Sequence, residues 1–159
     1  MHQASRLLFT ALLFVVVPAA WSQPPDAAEP DRVPGAGSSA VEALVGLTLG
    51  ELYARFGTPS AVYAVRGAEE WQDDVVMVYG QGDFYLYRDR VWQVSLKAGY
   101  GLKLGDPRPA AALALGEKAR ERGDHFLLPL PGEGWPLELR VNIDGSGRVS
   151  AIYVYRPDF

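Results

Sequence analysis

Asp124-His125 is where the mature chain would set a carboxylate beside an imidazole, the raw material of acid–base transfer. No nucleophile accompanies it: the chain has no cysteine and neither Gly-x-Ser-x-Gly nor His-Glu-x-x-His. The pair falls between a predicted helix and a predicted strand, where a cation facing the helix C-terminus is the plainer role. A carboxylate pair for glycoside hydrolysis is defined by spatial separation, so the sequence leaves it open. Glu69, Glu70, Asp73 and Asp74 offer the oxygen ligands hard cations prefer, but their spacing fits no calcium loop and reads as a solvated loop. Asp144-Gly145-Ser146-Gly147 shares a fragment of a calcium-loop pattern without the third acidic position or the downstream Glu, and reads as a turn. The expectation is a non-enzymatic chain that needs no metal and no cofactor.

Aromatic residues carry the stronger signal. Tyr85, Tyr87, Tyr153 and Tyr155 alternate along two predicted strands on the side opposite the apolar residues. Tyrosine presents a large rigid contact area and a hydroxyl at low entropic cost, and is enriched at interface centres. The plainer reading is that tyrosine suits exposed strands. Trp71 and Trp135 each follow a Gly-Glu loop and precede a strand, where they either rim the sheet or cap the core. The expected binding residues are Tyr85, Tyr87, Tyr153 and Tyr155, with Trp71 and the acidic loop as rim.

The elements that position these residues follow from local rules. Thr48-Leu49-Gly50-Glu51 is a capping box, and it predicts a helix over 49–56 that buries Leu52 and Phe56. Gly57 and Pro59 stop that helix. The period then falls to two, giving strands at 61–65, 75–79, 83–87 and 91–97. Phe84, Leu86, Trp92, Val94 and Leu96 are assigned to the core side. In the second half, Asp106 as cap and Pro107 at the first turn predict a longer helix. That helix carries Ala110, Leu113, Ala114 and Lys118 at helical spacing and ends at Gly123. Strands follow at 126–130, 137–143 and 148–156, the last two joined by the Asp144–Gly147 hairpin turn.

Three elements recur in order. Gly46-Leu47-Thr48-Leu49-Gly50 returns as Gly101-Leu102-Lys103-Leu104-Gly105. Gly67-Ala68-Glu69-Glu70-Trp71 is echoed by Gly132-Glu133-Gly134-Trp135, and Arg90-Val91-Trp92-Gln93-Val94 by Arg148-Val149-Ser150-Ala151-Ile152. Repetition of this kind decides architecture before any single residue does. The expected fold class is α+β: two degenerate helix-plus-antiparallel-meander units, 41–98 and 99–159, forming one antiparallel sheet with helices on one face.

The first 22 residues read as a signal peptide: Arg6, the apolar run Leu7 to Val17, then Pro18 and Ala20-Trp21-Ser22 as a cleavage site. An uncleaved anchor is the alternative, but the run falls short of the ~20 residues a spanning helix needs. Residues 23–40, rich in Pro and Ala, read as a disordered linker. Removal of Arg6 takes the formal charge from −4 to −5. Modest acidity without a basic run argues against nucleic acid and anionic membranes as partners. A cysteine-free exported chain relies on its core rather than on disulfides. The expected product is periplasmic or secreted, without stable membrane insertion once the leader is gone. It is expected to bind a protein partner of the envelope or secreted fraction. Two other readings stay open: a small-molecule or glycan binder, and a weak hydrolase built around His125.

The series Gly46-Leu47-Thr48-Leu49-Gly50-Glu51-Leu52, Phe56-Gly57-Thr58-Pro59, Glu70-Trp71 and Val91-Trp92-Gln93-Val94 resembles two related families. One is the outer-membrane assembly lipoproteins of the SmpA/OmlA (BamE) type; the other is the beta-lactamase inhibitor protein, a tandem of helix-plus-meander units. The resemblance covers Val45 to Lys97 well and Tyr100 to Tyr155 weakly. The second half has only Leu115-Gly116-Glu117 in place of Phe-Gly-x-Pro, and the lipid-anchoring cysteine is missing. It implies a non-enzymatic binding module that grips its target with aromatics on the concave sheet face.

Overall fold

Thr48 opens the first well-capped helix as its sequence predicts. The computed structural model describes residues 38–66, 74–132 and 134–159. The leader, most of the linker, Trp71, Glu69, Glu70 and Asp73 lie outside the described residues. The Thr48 amide donates to Glu51 Oε2 at 2.7 Å and the Glu51 amide to Thr48 Oγ1 at 3.3 Å, the reciprocal capping box. This helix, α2 (Leu49–Phe56), buries Leu52 and ends at Gly57, whose φ of 70° only glycine adopts without strain. A short helix precedes it, α1 (Ser38–Glu42), which begins inside the stretch expected as linker. It contributes Val41 to the core, followed by Leu44 and Val45.

Eight strands form one antiparallel sheet in the order β1-β2-β3-β4-β10-β9-β8-β7. They are β1 (Ala61–Val65), β2 (Asp74–Tyr79), β3 (Gly82–Tyr87), β4 (Arg90–Leu96), β7 (Arg120–Arg122), β8 (His125–Leu130), β9 (Leu137–Ile143) and β10 (Val149–Tyr155). A separate hairpin, β5 (Ala98–Gly99) with β6 (Leu102–Lys103), leads into α3 (Arg108–Leu115). The fold is therefore α+β, with three helices among the described residues. Period-two burial in β3, β9 and β10 puts Phe84, Leu86, Leu139, Val141, Ile152 and Val154 on one side. The helices supply Val41, Leu52, Ala111 and Leu115 to that same core, and Phe56 packs its ring at 5.5 Å from Phe84. The opposite side of the sheet carries no helix among the described residues.

Two sets of contacts recur. The amide of Gly46 donates to Val91 O at 2.7 Å, and that of Gly105 to Val149 O at 2.8 Å. Arg90 Nη1 donates to Gly46 O at 2.9 Å, and Arg148 Nη1 to Gly105 O at 2.8 Å. A register shift falls at Trp92 in β4 and at Ser150 in β10.

Several expectations require correction. Trp92 is not a core residue: the register skips it, because Tyr85 faces Gln93 while Leu86 faces Val91. A bulge places an extra residue in the strand and breaks strict alternation. The second helix is short, stopping at Gly116 (φ 68°), and Arg120–Arg122 forms an edge strand instead of a helical turn. Pro107 is its N-cap; Asp106 instead accepts from the Lys103 amide at 2.9 Å. Its buried positions are Ala111 and Leu115, while Leu113 is 86% exposed. His125 consequently follows a strand turn after Arg120–Arg122 rather than a helix C-terminus, since α3 ends at Leu115.

Candidate functional site

The helix-free face is built from the outward positions of the sheet, and pairing lines them up in rows across the strands. One row runs Tyr63, Val76, Tyr85, Gln93, Tyr155, Glu138 and Pro129; the next includes Asp83, Ser95, Tyr153 and Arg140. Tyr85 and Tyr155 therefore flank Gln93 from either side, roughly 10 Å apart at two strand spacings. Tyr153 lies one row over, beside Ser95.

Trp92 joins this face. Its ring centroid is 6.4 Å from Tyr85, edge-on, and its indole Nε1 donates to Asp74 Oδ1 at 3.0 Å. Phe159 stacks on Trp92 and meets Tyr87 edge-on at 5.2 Å. Phe159 thus connects Tyr87 to the central aromatics. Arg156 stands over both Trp135 (5.0 Å) and Phe159 (5.7 Å).

Half-burial gives these tyrosines distinct electrostatics. Burial, with Tyr63 and Tyr153 nearby, pushes the Tyr85 hydroxyl up to about 12. Burial and the hydrogen bond to Glu138 push Tyr155 up to about 12 as well. The Tyr155 hydroxyl donates to Glu138 Oε2 at 2.6 Å, and Arg120 Nη2 pairs with Glu138 Oε1 at 3.0 Å. On the β7–β9 side the outward positions turn basic: Arg120 and Arg122 are exposed, and Arg140 Nε donates to Asn142 Oδ1 at 2.7 Å. The face is aromatic on one half and basic on the other.

The remaining candidates disperse. Asp124 Oδ1 accepts from His125 Nδ1 at 2.8 Å, and that contact holds the Asp124 carboxyl below its usual range. Asp124 is open to solvent, and among the described residues no third acid–base group is hydrogen-bonded to the pair. Asp144 Oδ1 accepts from Ser146 N, Ser146 Oγ and Arg148 N, so its lone pairs close the turn. Trp135 covers Gly46: a Cβ on that glycine would overlap the indole. An open cleft of about 520 Å³ lies beside it, lined by Glu42, Glu51, Arg90, Trp135 and Leu137 among others. Glu42 is buried there, its carboxyl raised by desolvation and only partly offset by the hydrogen bond from Tyr100.

Of the sequence-predicted site, Tyr85, Tyr153 and Tyr155 share neighbouring positions, and Tyr87 reaches them through Phe159. Sequence reasoning missed Trp92, Phe159 and Tyr63. The Trp92-Gln93 step carried no local sign of a bulge, and Phe159 is a lone aromatic beyond the last strand. Tyr63 was readable, since it alternates with Val62 and Ala64 in a recognised strand.

No family model and no curated protein matches the chain. Among solved structures it is similar to an extracellular protein containing an SCP domain from Bacillus anthracis. The identity is 12%, the TM-score 0.48, and the match covers 86% of this chain and 49% of that one. The chain thus spans about half the length of the solved structure it matches. The expected membership in the SmpA/OmlA (BamE) or beta-lactamase-inhibitor families is overturned by these results. The motifs that suggested it are a capping box, a Gly-x-Pro helix stop and a hairpin, each of which specifies local backbone geometry in many unrelated folds. Among the described residues no helix is long and apolar enough to cross a membrane.

Proposed function

We propose that this chain is an exported, non-enzymatic protein-binding module that works reversibly through the helix-free face of its sheet. The observation that carries the reading is the row in which Tyr85 and Tyr155 flank Gln93, with Trp92 turned to the same side by the bulge. These side chains are half-buried and held by ring contacts or a hydrogen bond, so little rotamer freedom remains to be lost on binding. Arg120, Arg122 and Arg140 beside them favour a partner whose apolar contact surface adjoins acidic residues.

The recurring contacts support a further element of the reading, that 41–98 and 99–159 are two copies of one helix-plus-meander unit. Aligning Val91 with Val149 pairs the two bulges, Trp92 with Ser150. It also pairs Tyr85 with Asn142 and Tyr153 with Ser95, so neither tyrosine has an aromatic counterpart. The aromatics gather where β3, β4 and β10 meet, which favours one site rather than two equivalent ones.

The test is affinity capture from the native envelope and secreted fractions. Wild type is compared with a Tyr85→Ala, Tyr87→Ala, Tyr153→Ala, Tyr155→Ala variant whose fold is checked by circular dichroism. One protein retained by wild type and lost by the variant supports the reading; equal retention, or none by either, defeats it. A second reading, a small-molecule or glycan binder, is favoured by the cleft between Trp135, Glu42 and Arg90. It predicts that a ligand protects Trp135 from iodide quenching while the four-tyrosine variant binds it normally.

A further inference from the structure

The two edges of the sheet are chemically opposite. At one end β7 reads Arg-Glu-Arg, all exposed, the charged kind of edge that resists pairing with another strand. At the other end β1 reads Ala-Val-Tyr-Ala-Val, five exposed residues without a charge or a proline. Among the described residues β1 pairs with β2 alone, and no other described strand meets its outer row of backbone groups. Val62, Tyr63, Val65 and the neighbouring Val75 are all among the exposed large apolar residues. Uncharged apolar edges of this kind invite another strand.

We infer that β1 is a self-complementary edge through which two copies of this chain pair, antiparallel and about a two-fold axis at Tyr63. In that register Tyr63 faces Tyr63 of the second copy, Ala61 faces Val65, and Val62 faces Ala64. Every side chain keeps its face of the sheet, as strand pairing requires. The helix-side row then runs Val75, Ala64, Val62 of the second copy and Met77 of the second copy, because β2 already sets Val75 against Ala64 and Met77 against Val62. A small alanine lies between two valines, and the exposed Val62 and Val75 gain apolar neighbours. No like charges meet in the strand, whereas β7 paired with itself in this way would oppose Glu121 to Glu121.

Closure follows from the topology. One such contact consumes both β1 edges and leaves the charged β7 edges as the remaining edges of the eight-stranded sheet among the described residues, so its assembly stops at two. A five-residue strand pair is small against the roughly 1,600 Å² of a standard interface, so the dimer is weak and concentration-dependent. The seam borders the aromatic face, since Tyr63 lies in one row with Tyr85 and only Val76 stands between them, but its test reads self-association and not partner binding.

Sedimentation velocity on the exported protein, from micromolar to near-millimolar concentration, is the first arm. The expected result is a monomer–dimer shift, weakened about tenfold or more by Val62→Lys, which drives a charge into the apolar row. The chain has no cysteine, so single thiols report register cleanly. Tyr63→Cys is expected to form a covalent dimer on mild oxidation, while Val65→Cys, four residues off its own copy along the seam, is beyond disulfide reach. A monomer at all concentrations, a dimer indifferent to Val62→Lys, or equal cross-linking at both thiols would overturn the inference.

Discussion

The indole of Trp92 lies parallel to the ring of Phe159, with centroids 5.3 Å apart and planes 7° from each other. A bulge residue on a central strand is thus covered by the last residue of the chain. Phe159 also touches Tyr87, so its ring helps to order the face it borders. Phe159→Ala is expected to lower stability in urea unfolding by about 1 kcal/mol, the scale of an aromatic pair beyond its area burial. No change would mean that the stacking contributes nothing in solution.

The capping box makes helix α2 sensitive to acid. Hydrogen bonds from the Thr48 amide and hydroxyl hold the Glu51 carboxyl below its ordinary value of 4.5. A lowered folded value stabilises above the unfolded value and is lost as pH falls through the folded one. The difference in stability between wild type and Glu51→Gln is therefore present at neutral pH and shrinks below about pH 4.5. Thr48→Ala is expected to cost about 1 kcal/mol at neutral pH. Urea midpoints across the acid range check both.

Two tyrosines on the helix-free face should ionise late. Tyr85 and Tyr155 are raised to about 12 from 10.0, chiefly by burial. A raised folded value stabilises below the unfolded value and is lost as pH rises through the folded one. Their contribution to stability is thus full below pH 10 and disappears by about pH 12. Absorbance titration should show a late-ionising component that diminishes in both Tyr85→Phe and Tyr155→Phe. Tyr155→Phe should in addition cost about 1–1.5 kcal/mol by leaving Glu138 one donor short.

Gly46 and Gly105 occupy corresponding places, with φ of 95° and 87°. A Cβ at Gly46 meets the Trp135 indole, while one at Gly105 meets nothing within 4 Å. Gly105→Ala is expected to cost about 1 kcal/mol for the positive φ alone. Gly46→Ala should cost about 1–3 kcal/mol more, the range for overpacking a filled site. Equal losses would show that Trp135 moves aside freely.

Legibility in the sequence tracked how local the determinant was. The capping box of α2, the Asp144–Gly147 turn and the alternation of β9 are written in adjacent residues, and all appear as read. Trp92 was misassigned because a bulge depends on the registers of two strands rather than on the strand that contains it. The second helix was overextended because alanine-rich spacing favours helix, and only the positive φ at Gly116 ends it. Tyr85, Tyr87, Tyr153 and Tyr155 are legible by alternation, but their clustering rests on the pairing of β4 with β10, about sixty residues apart in sequence and so outside any local pattern. Phe159 lay beyond every periodic segment and could be placed only by the fold.

The central claim is that the helix-free face makes the contact, and site-specific photo-crosslinking tests it most directly. A photoreactive residue would replace Tyr153 on that face in one variant and the exposed Leu113 on helix α3 in another. The account predicts a discrete adduct with one protein from position 153 and none from position 113. The same adduct from both positions, or an adduct from position 113 alone, would contradict it.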